Sequence, residues 1–305
     1  MKPKLSFEWL HACSGCEIAL LNYGEPLLAL LNRVEIVHFP LLMDHKYTGP
    51  EREDLSLSLP EADIGLVSGG VAHQEHLTVL HEMRRQCRTL IALGTCATHG
   101  GIPAMRNQWS TADTLQTVLA AGDTEPGPML DEPSLFLDRV YSVDEKVPVE
   151  VSLPGCPPQP ELIAAIIEAL LNKDTVPPAN KSVCETCPTL RKGKGPTTIR
   201  RFLDNADYDR DQPVSRMRCL LEQGLLCMGP ITAGGCGGKD TPLCLRARVP
   251  CRGCYGPVRP GGNQLLDMKN ALASNGIDHR SIVDRKSLLR FSGAHGLIQP
   301  AGKRR

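Results

Sequence analysis

Neither sign of charge predominates in this sequence: 34 lysines and arginines face 34 aspartates and glutamates over 305 residues. The electrostatic surplus that marks a nucleic-acid or anionic-membrane binder is missing, which argues against both partners. Long apolar runs are missing too. None approaches the roughly 20 residues that span a bilayer, and Met1 leads almost directly into a strand-like segment without a charged and then apolar leader. The expectation is a cytoplasmic chain with no membrane span. Nucleotide loops are also absent. The turn at Ser68-Gly69-Gly70 lacks the G-x-G-x-x-G order and no G-x-x-x-x-G-K-S/T occurs, so flavin, NAD or ATP sites are expected on partners and not here. Aromatic residues make up only 4%, against 41% hydrophobic overall. That is enough for one substantial core and a second, smaller unit.

Cysteine, in contrast, is abundant. Thirteen cysteines are too many for a cytosolic protein that uses them only as small hydrophobes. Disulfides do not persist in a reducing compartment, so dense cysteines at short spacings point to metal. The odd count argues against complete pairing.

Short apolar runs rich in β-formers, at 4–9, 34–39, 64–67, 89–93 and 149–153, alternate with amphipathic stretches at 17–31, 73–87, 111–121 and 160–171. Gly24 and Pro26 are positioned to kink or divide the first of these helices. Strand then helix, repeated, implies right-handed crossovers and a mainly parallel sheet covered on both faces. Residues 1–176 are therefore expected to form a doubly wound α/β domain. Its cysteines follow strand ends: Cys13 and Cys16 after the first, Cys96 after the run ending at Leu93, and Cys156 after the run ending at Leu153. Ligands of open parallel sheets gather at the carboxyl ends of strands, so these four form one candidate site. Gly15, Gly94 and Gly155 precede them closely, leaving room for an inorganic cluster and letting amides point at it. Pro157 and Pro158 stiffen the loop after Cys156, as a proline does after a ligand cysteine in ferredoxins.

From about residue 177 regular periodicity fades and glycine and proline become frequent. Cys184, Cys187, Cys219, Cys227, Cys236, Cys244, Cys251 and Cys254 follow. Bound metal is expected to supply much of the stability of this second domain, 177–305. Eight cysteines make two four-ligand sites. Sequence order groups the first four and the last four, although spacing alone leaves interleaving open. Zinc is the competing reading, because Cys-x2-Cys pairs equally suit a tetrahedral thiolate site. The second domain would then be a zinc-stabilised interaction module beside a single iron-sulfur cluster. A helix is expected at 263–273, and the basic end at 303–305 carries no evident chemistry. His11 and His99 flank the first-half cysteines and could tune a metal site by hydrogen bonds, although a histidine near a metal loop is more often a packing or partner-contact residue. Cys87 reads as a plain buried thiol. Ser14 and nearby histidines have no context that supports nucleophilic catalysis.

Three segments, His11-Ala-Cys-Ser-Gly-Cys-Glu17, Gly94-Thr-Cys-Ala97 and Pro154-Gly-Cys-Pro-Pro158, together resemble the proximal-cluster signature of nickel-iron hydrogenase small subunits. Cys219-Leu-Leu-Glu-Gln-Gly-Leu-Leu-Cys-Met-Gly-Pro230 and Pro250-Cys-Arg-Gly-Cys-Tyr-Gly256 resemble that family's medial and distal cluster region. The resemblance implies a flavodoxin-like first domain, whose cluster faces a large subunit holding the nickel-iron centre, and a second, smaller, irregular iron-sulfur domain. It assigns Cys13, Cys16, Cys96 and Cys156 to a proximal cluster and Cys236, Cys244, Cys251 and Cys254 to a medial one. Cys184, Cys187, Cys219 and Cys227 fall to a distal cluster. Electrons would pass proximal, medial, distal, or the reverse, to a further acceptor subunit or protein bearing flavin or an iron-sulfur group. Glu17 matches the family's proton-relay glutamate, although an acidic residue in a helix's first turn also complements the macrodipole.

Periplasmic members use a distal histidine where Cys184 stands here, and commonly a proline in place of Cys244. Both differences point to three [4Fe-4S] clusters, as in the cytoplasmic methyl-viologen-reducing, F420-non-reducing group. Arg84-Arg85 lies deep inside the chain and is no twin-arginine leader. Residues 100–107 also resemble small subunits of NAD-linked hydrogenases, which generally lack a second half. The related quinone-reductase small subunits characteristically have two adjacent cysteines and fit poorly.

Overall fold

The computed structural model describes residues 1–44, 47, 57–120, 135–175, 181–201, 203, 206–238 and 240–300. The expected helix end at 121, the domain boundary at 176/177 and the basic end at 303–305 lie outside them. Contacts divide the chain into one unit of Met1–Val176 with Gly293–Arg305 and another of Pro177–Ser292. Residues 293–300, expected in the second domain, thus belong with the first.

In chain order the first unit holds β1 (Lys4–Trp9), α1 (Gly15–Leu21), α2 (Pro26–Leu31), β2 (Glu35–His38), β3 (Ala62–Ser68), β4 (Val71–His73), α3 (Gln74–Gln86) and β5 (Cys87–Leu93). α4 (Gly94–His99), α5 (Thr111–Ala120), β6 (Phe136–Tyr141), β7 (Val151–Leu153) and α6 (Pro160–Asn172) follow. Five strands make one sheet in the order β2-β1-β3-β5-β7, every neighbouring pair parallel. Counting only these strands, the order is 2-1-3-4-5, the flavodoxin-like winding, whose switch point lies between the first and third strands. β4 and β6 form a separate antiparallel pair. The sequence did not reveal this pair, because a three-residue strand directly after Gly69-Gly70 is too short to show a period.

Burial on both faces explains the near-continuous apolar strands. Leu5, Phe7, Leu66 and Ile91 pack with Ile163 and Ile167 of α6 on one side. Val67, Leu90 and Ala92 pack with Leu80 and Met83 of α3 on the other. Helix ends follow local chemistry. Gly24, at φ 75°, and Pro26 at the first turn of α2 split the expected helix at 17–31 in two. The His73 side chain accepts the Glu75 amide at 3.2 Å and opens α3. No helix among the described residues is long and apolar enough to cross a membrane.

The second unit has little regular structure: α7 (Leu243–Arg246), α8 (Gln264–Ser274) and several 3-10 turns. Asn263 caps α8, its carboxamide oxygen accepting the amides of Leu265 and Leu266 at 3.0 and 3.2 Å. Met268 and Leu272 of α8 are fully buried.

Residues 293–300 bind the end of α4. The Ala294 amide donates to the His99 carbonyl at 3.1 Å, and the His295 amide to Glu145 at 3.1 Å. The His295 Nε2 lies 3.1 Å from both Asp144 carboxylate oxygens and 3.1 Å from Ser142 Oγ. The hydrogen bond to Asp144 outweighs partial burial and raises the His295 pKa, with Glu145 adding to the rise and Arg139 opposing it. Burial pushes Asp144 up, but bonds from His295 and Ser142 prevail and hold it below its usual value.

Two measurements follow from this architecture. A Cβ on Gly65 would lie 2.4 Å from Cys87 Sγ, so Gly65→Ala is expected to cost about 1–3 kcal/mol in urea unfolding. Cys87→Ala in the same chain should recover part of that loss in a double-mutant cycle, the remainder reflecting the Cys87 Cβ and Leu90 Cδ1 at 2.9 and 3.1 Å. The pH dependence of the tail contact has a definite sign. A raised histidine pKa stabilises fully below its unfolded value and loses this effect as pH rises through the folded value; a depressed aspartate stabilises above its unfolded value and loses the effect on acidification. The Tm difference between wild type and His295→Ala should therefore be widest between about pH 4 and 6.5 and shrink above it.

Candidate metal centres

The loops after β1, β5 and β7 are fixed by backbone bonds before any metal is considered. The Leu10 amide donates to the Ser68 carbonyl at 2.8 Å, while His11 and Gly70 exchange amide bonds of 3.0 and 3.1 Å. These tie the Cys13 loop to the end of β3. The Thr95 amide donates to the Gly155 carbonyl at 2.8 Å, and the Gly155 amide returns to Thr95 Oγ1 at 2.8 Å. That reciprocal pair joins the loop of Cys96 to that of Cys156.

Glycine is required where sulfur comes close. At Gly94, φ 80°, a Cβ would meet Cys16 Sγ at 2.3 Å; at Gly101, φ 51°, it would meet Cys96 Sγ at 2.7 Å. The thiols also feel one another. Burial first, then Glu17, Cys96, Cys156 and Cys13, raise the Cys16 pKa. Burial, Cys156 and Cys13 push Cys96 up to about 12, and burial followed by Cys13 raises Cys156. The four cysteines at three strand ends thus share one neighbourhood.

In the second unit Cys184, Cys187, Cys219 and Cys227 line a cavity of about 230 Å³ together with Arg191 and Gly229. A Cβ on Gly229 would stand 3.1 Å from Cys184 Sγ and 3.7 Å from Cys227 Sγ. Burial brings Cys184 up to about 11 against the pull of Arg191. Cys227 rises to about 12 through burial, partly offset by the amides of Gly229 and Cys251. Cys187 Sγ and Thr189 Oγ1 share a hydrogen bond of 3.1 Å. The remaining four cysteines are linked electrostatically: Cys251, raised well above its ordinary value chiefly by burial, feels Cys227, Cys254 and Cys244, and Cys236 feels Cys244. The Cys251 amide donates to Cys227 Sγ at 3.3 Å, so the two groups adjoin there. Four thiols around one cavity are the donor set that an iron-sulfur cluster takes.

Glu17, on α1 beside Cys16, is buried to 1% exposure. Ser68 Oγ donates to its Oε1. Oε2 is buried without a hydrogen-bond partner among the described residues. Burial raises the carboxyl pKa against the bonds from Ser68 and the backbone. Of the two readings of His11 and His99, the structure favours packing. The His11 ring meets His76 edge-on at 6.1 Å and the His99 ring meets His295 at 6.4 Å; among the described residues no hydrogen bond runs from either ring to a cysteine. Burial brings His99 down to about 4, which leaves it neutral. Cys87 is buried, as expected, and receives Ser6 and Met83 as neighbours at the base of the sheet. Sequence reasoning missed Thr95 as the residue joining two cysteine loops and Arg191 as the cation beside Cys184; Thr95 adjoins Cys96, which was the available signal.

Residues 13–170 match the family described as NADH ubiquinone oxidoreductase, 20 Kd subunit. The chain is 36% identical to a vhu-type F420-non-reducing hydrogenase subunit of Methanocaldococcus jannaschii over 306 residues, covering 98% of each. Among solved structures, one of an NAD+-reducing [NiFe]-hydrogenase in the H2-reduced state shares 34% identity at a TM-score of 0.51, covering 57% of this chain and 94% of that one. The Ni-Fe-Se hydrogenase of Desulfomicrobium baculatum aligns over 92% of this chain and all of its own at a TM-score of 0.52. At 17% identity that likeness is one of fold. The chain belongs to this 20 Kd-subunit family and, within it, to the small, electron-transferring subunits of nickel-iron hydrogenases.

Proposed function

We propose that the chain holds three [4Fe-4S] clusters in the cytoplasm and pairs with a large subunit and a further electron-acceptor protein bearing flavin or an iron-sulfur group. Cys13, Cys16, Cys96 and Cys156 would hold the proximal cluster, Cys236, Cys244, Cys251 and Cys254 the medial, and Cys184, Cys187, Cys219 and Cys227 the distal. The reading rests above all on the meeting of four cysteines at three strand ends beside the switch point of a parallel sheet. Once bound, the clusters would supply one-electron relays between the nickel-iron site of the large subunit and the acceptor.

The chain's own residues do the rest. Thr95, Gly155 and Gly70 hold the first three loops in register, and Gly94 and Gly101 keep side chains out of the space near sulfur. The Cys251 amide, aimed at Cys227 Sγ, stabilises charge on that sulfur. Glu17 is proposed to pass protons toward or from the large subunit: Ser68 holds Oε1, and Oε2 is the atom left to take a proton in a dry setting. Trp9 and Ile18, 39% and 46% exposed on either side of the Cys13 loop, offer an apolar rim for that subunit.

Iron, zinc and acid-labile sulfide should be counted on anaerobically purified protein. The expected result is about twelve small-subunit irons per chain and no zinc. Gly94→Ala, which drives a Cβ into Cys16 Sγ, should lower that by about four irons while sparing the second unit. Roughly four irons with two zinc ions in the wild type would instead make the second unit a zinc-stabilised interaction module.

A further inference from the structure

A cavity of about 410 Å³ in the second unit is lined by Arg200, Arg201, Arg252 and Arg290. Asp284 is its one acidic lining residue among those described, and Asp284 Oδ1 accepts the amides of Lys286 and Ser287 at 3.0 and 3.3 Å. The whole chain is neutral in formal charge, so this cationic excess is local, the arrangement that steers one partner without attracting anions everywhere. The floor is aliphatic. Leu225 and Ile282 are buried there, and Val283 stands 75% exposed at the rim. Arginines around an apolar centre have the composition of a protein-protein contact. Among the described lining residues the apolar ones are aliphatic, and none is a glycine.

The walls are held in place. The Ile199 amide donates to Ser281 Oγ at 3.1 Å, and the Asp278 amide to the Thr197 carbonyl at 2.7 Å. Two lining residues adjoin candidate ligands: Leu226 precedes Cys227 and Arg252 follows Cys251. One peptide unit, about 3.8 Å between Cα atoms, separates each pair. A partner seated on this surface thus comes close to both cysteine groups of the second unit where they adjoin.

We infer that this pocket is the docking surface for an acidic electron-carrier protein, whose carboxylates meet the arginines and whose apolar residues cover Val283 and the floor. The inference rests on the proposed electron-transfer function. Each dihydrogen oxidised at the large subunit releases two protons and two electrons, and one electron reduces each of two one-electron carriers.

The test uses the assembled hydrogenase under dihydrogen, with an acidic plant-type [2Fe-2S] ferredoxin as one acceptor and benzyl viologen, a small cation that needs no docking, as the other. Arg290→Glu and, separately, Val283→Asp should each raise the KM for ferredoxin about ten-fold at low salt and flatten its dependence on ionic strength. Viologen reduction should not change, and Arg290→Lys should retain most of the ferredoxin affinity. Unchanged ferredoxin kinetics in both acidic variants would overturn the inference. So would a wild type that reduces viologen but no ferredoxin, or inhibition by inorganic pyrophosphate beyond that of sodium chloride at equal ionic strength, which would mark a small-anion site. If the wild type reduced neither acceptor, the proposed function itself would fall, and the docking surface with it.

Discussion

Buried thiols that share a small volume do not hold one another together: burial first, and then mutual repulsion, disfavours their ionised forms, and their raised proton affinities express that cost. Cys16, Cys96 and Cys156 all bear it. Their loops therefore need other means of staying close. The parallel sheet provides the first, because three of its strands deliver their carboxyl ends to one edge. Backbone bonds provide the second, in the Thr95 and Gly155 pair and in the exchange between His11 and Gly70. Each bond is modest alone, on the order of 1 kcal/mol. Together they fix the positions from which sulfur reaches a metal group.

The second unit meets the same constraint without a sheet. Its polypeptide is mostly turns, so local contacts set its cysteines in place: Gly229 passing between two sulfurs, Arg191 offsetting charge at Cys184, and the Cys251 amide reaching Cys227. Apolar side chains such as Leu220, Leu225, Met268 and Leu272 are nevertheless buried in it, and a bound inorganic group would add to the rigidity they supply. This also explains why the arginine-rimmed surface lies where it does. Short loops between cysteines are exposed on their outer side, so Arg252, between Cys251 and Cys254, has no other direction to face than outward.

Much of the first unit was legible in sequence because parallel strands, buried on both faces, leave apolar runs that stand out from amphipathic helices. β5, with its run from Leu90 to Leu93, and α6 follow that rule closely. The division of the first helix was readable from Gly24 and Pro26, whose backbone restrictions do not depend on tertiary context. Legibility failed where structure is set by distant partners. β4 has only three residues, Asp138 and Arg139 interrupt the apolar run of β6, and the two strands pair with one another. α4 opens on a glycine that first signals room for sulfur and not a helix. Among the cysteines, order along the chain suggested the grouping around the 230 Å³ cavity, but the closeness of Cys227 to Cys251 has no sequence signature. Nor did any pattern announce that His295 would bind Asp144, since 151 residues separate them.

That last contact has a consequence for biosynthesis. Ribosomes deliver the chain amino end first, and domains generally fold in that order. Here the first unit is interrupted: residues 293–300, which tie down the end of the Cys96 helix, emerge only after every cysteine of the second unit has been made. The helix that carries Cys96 thus gains its last backbone contact only after all thirteen cysteines have been translated.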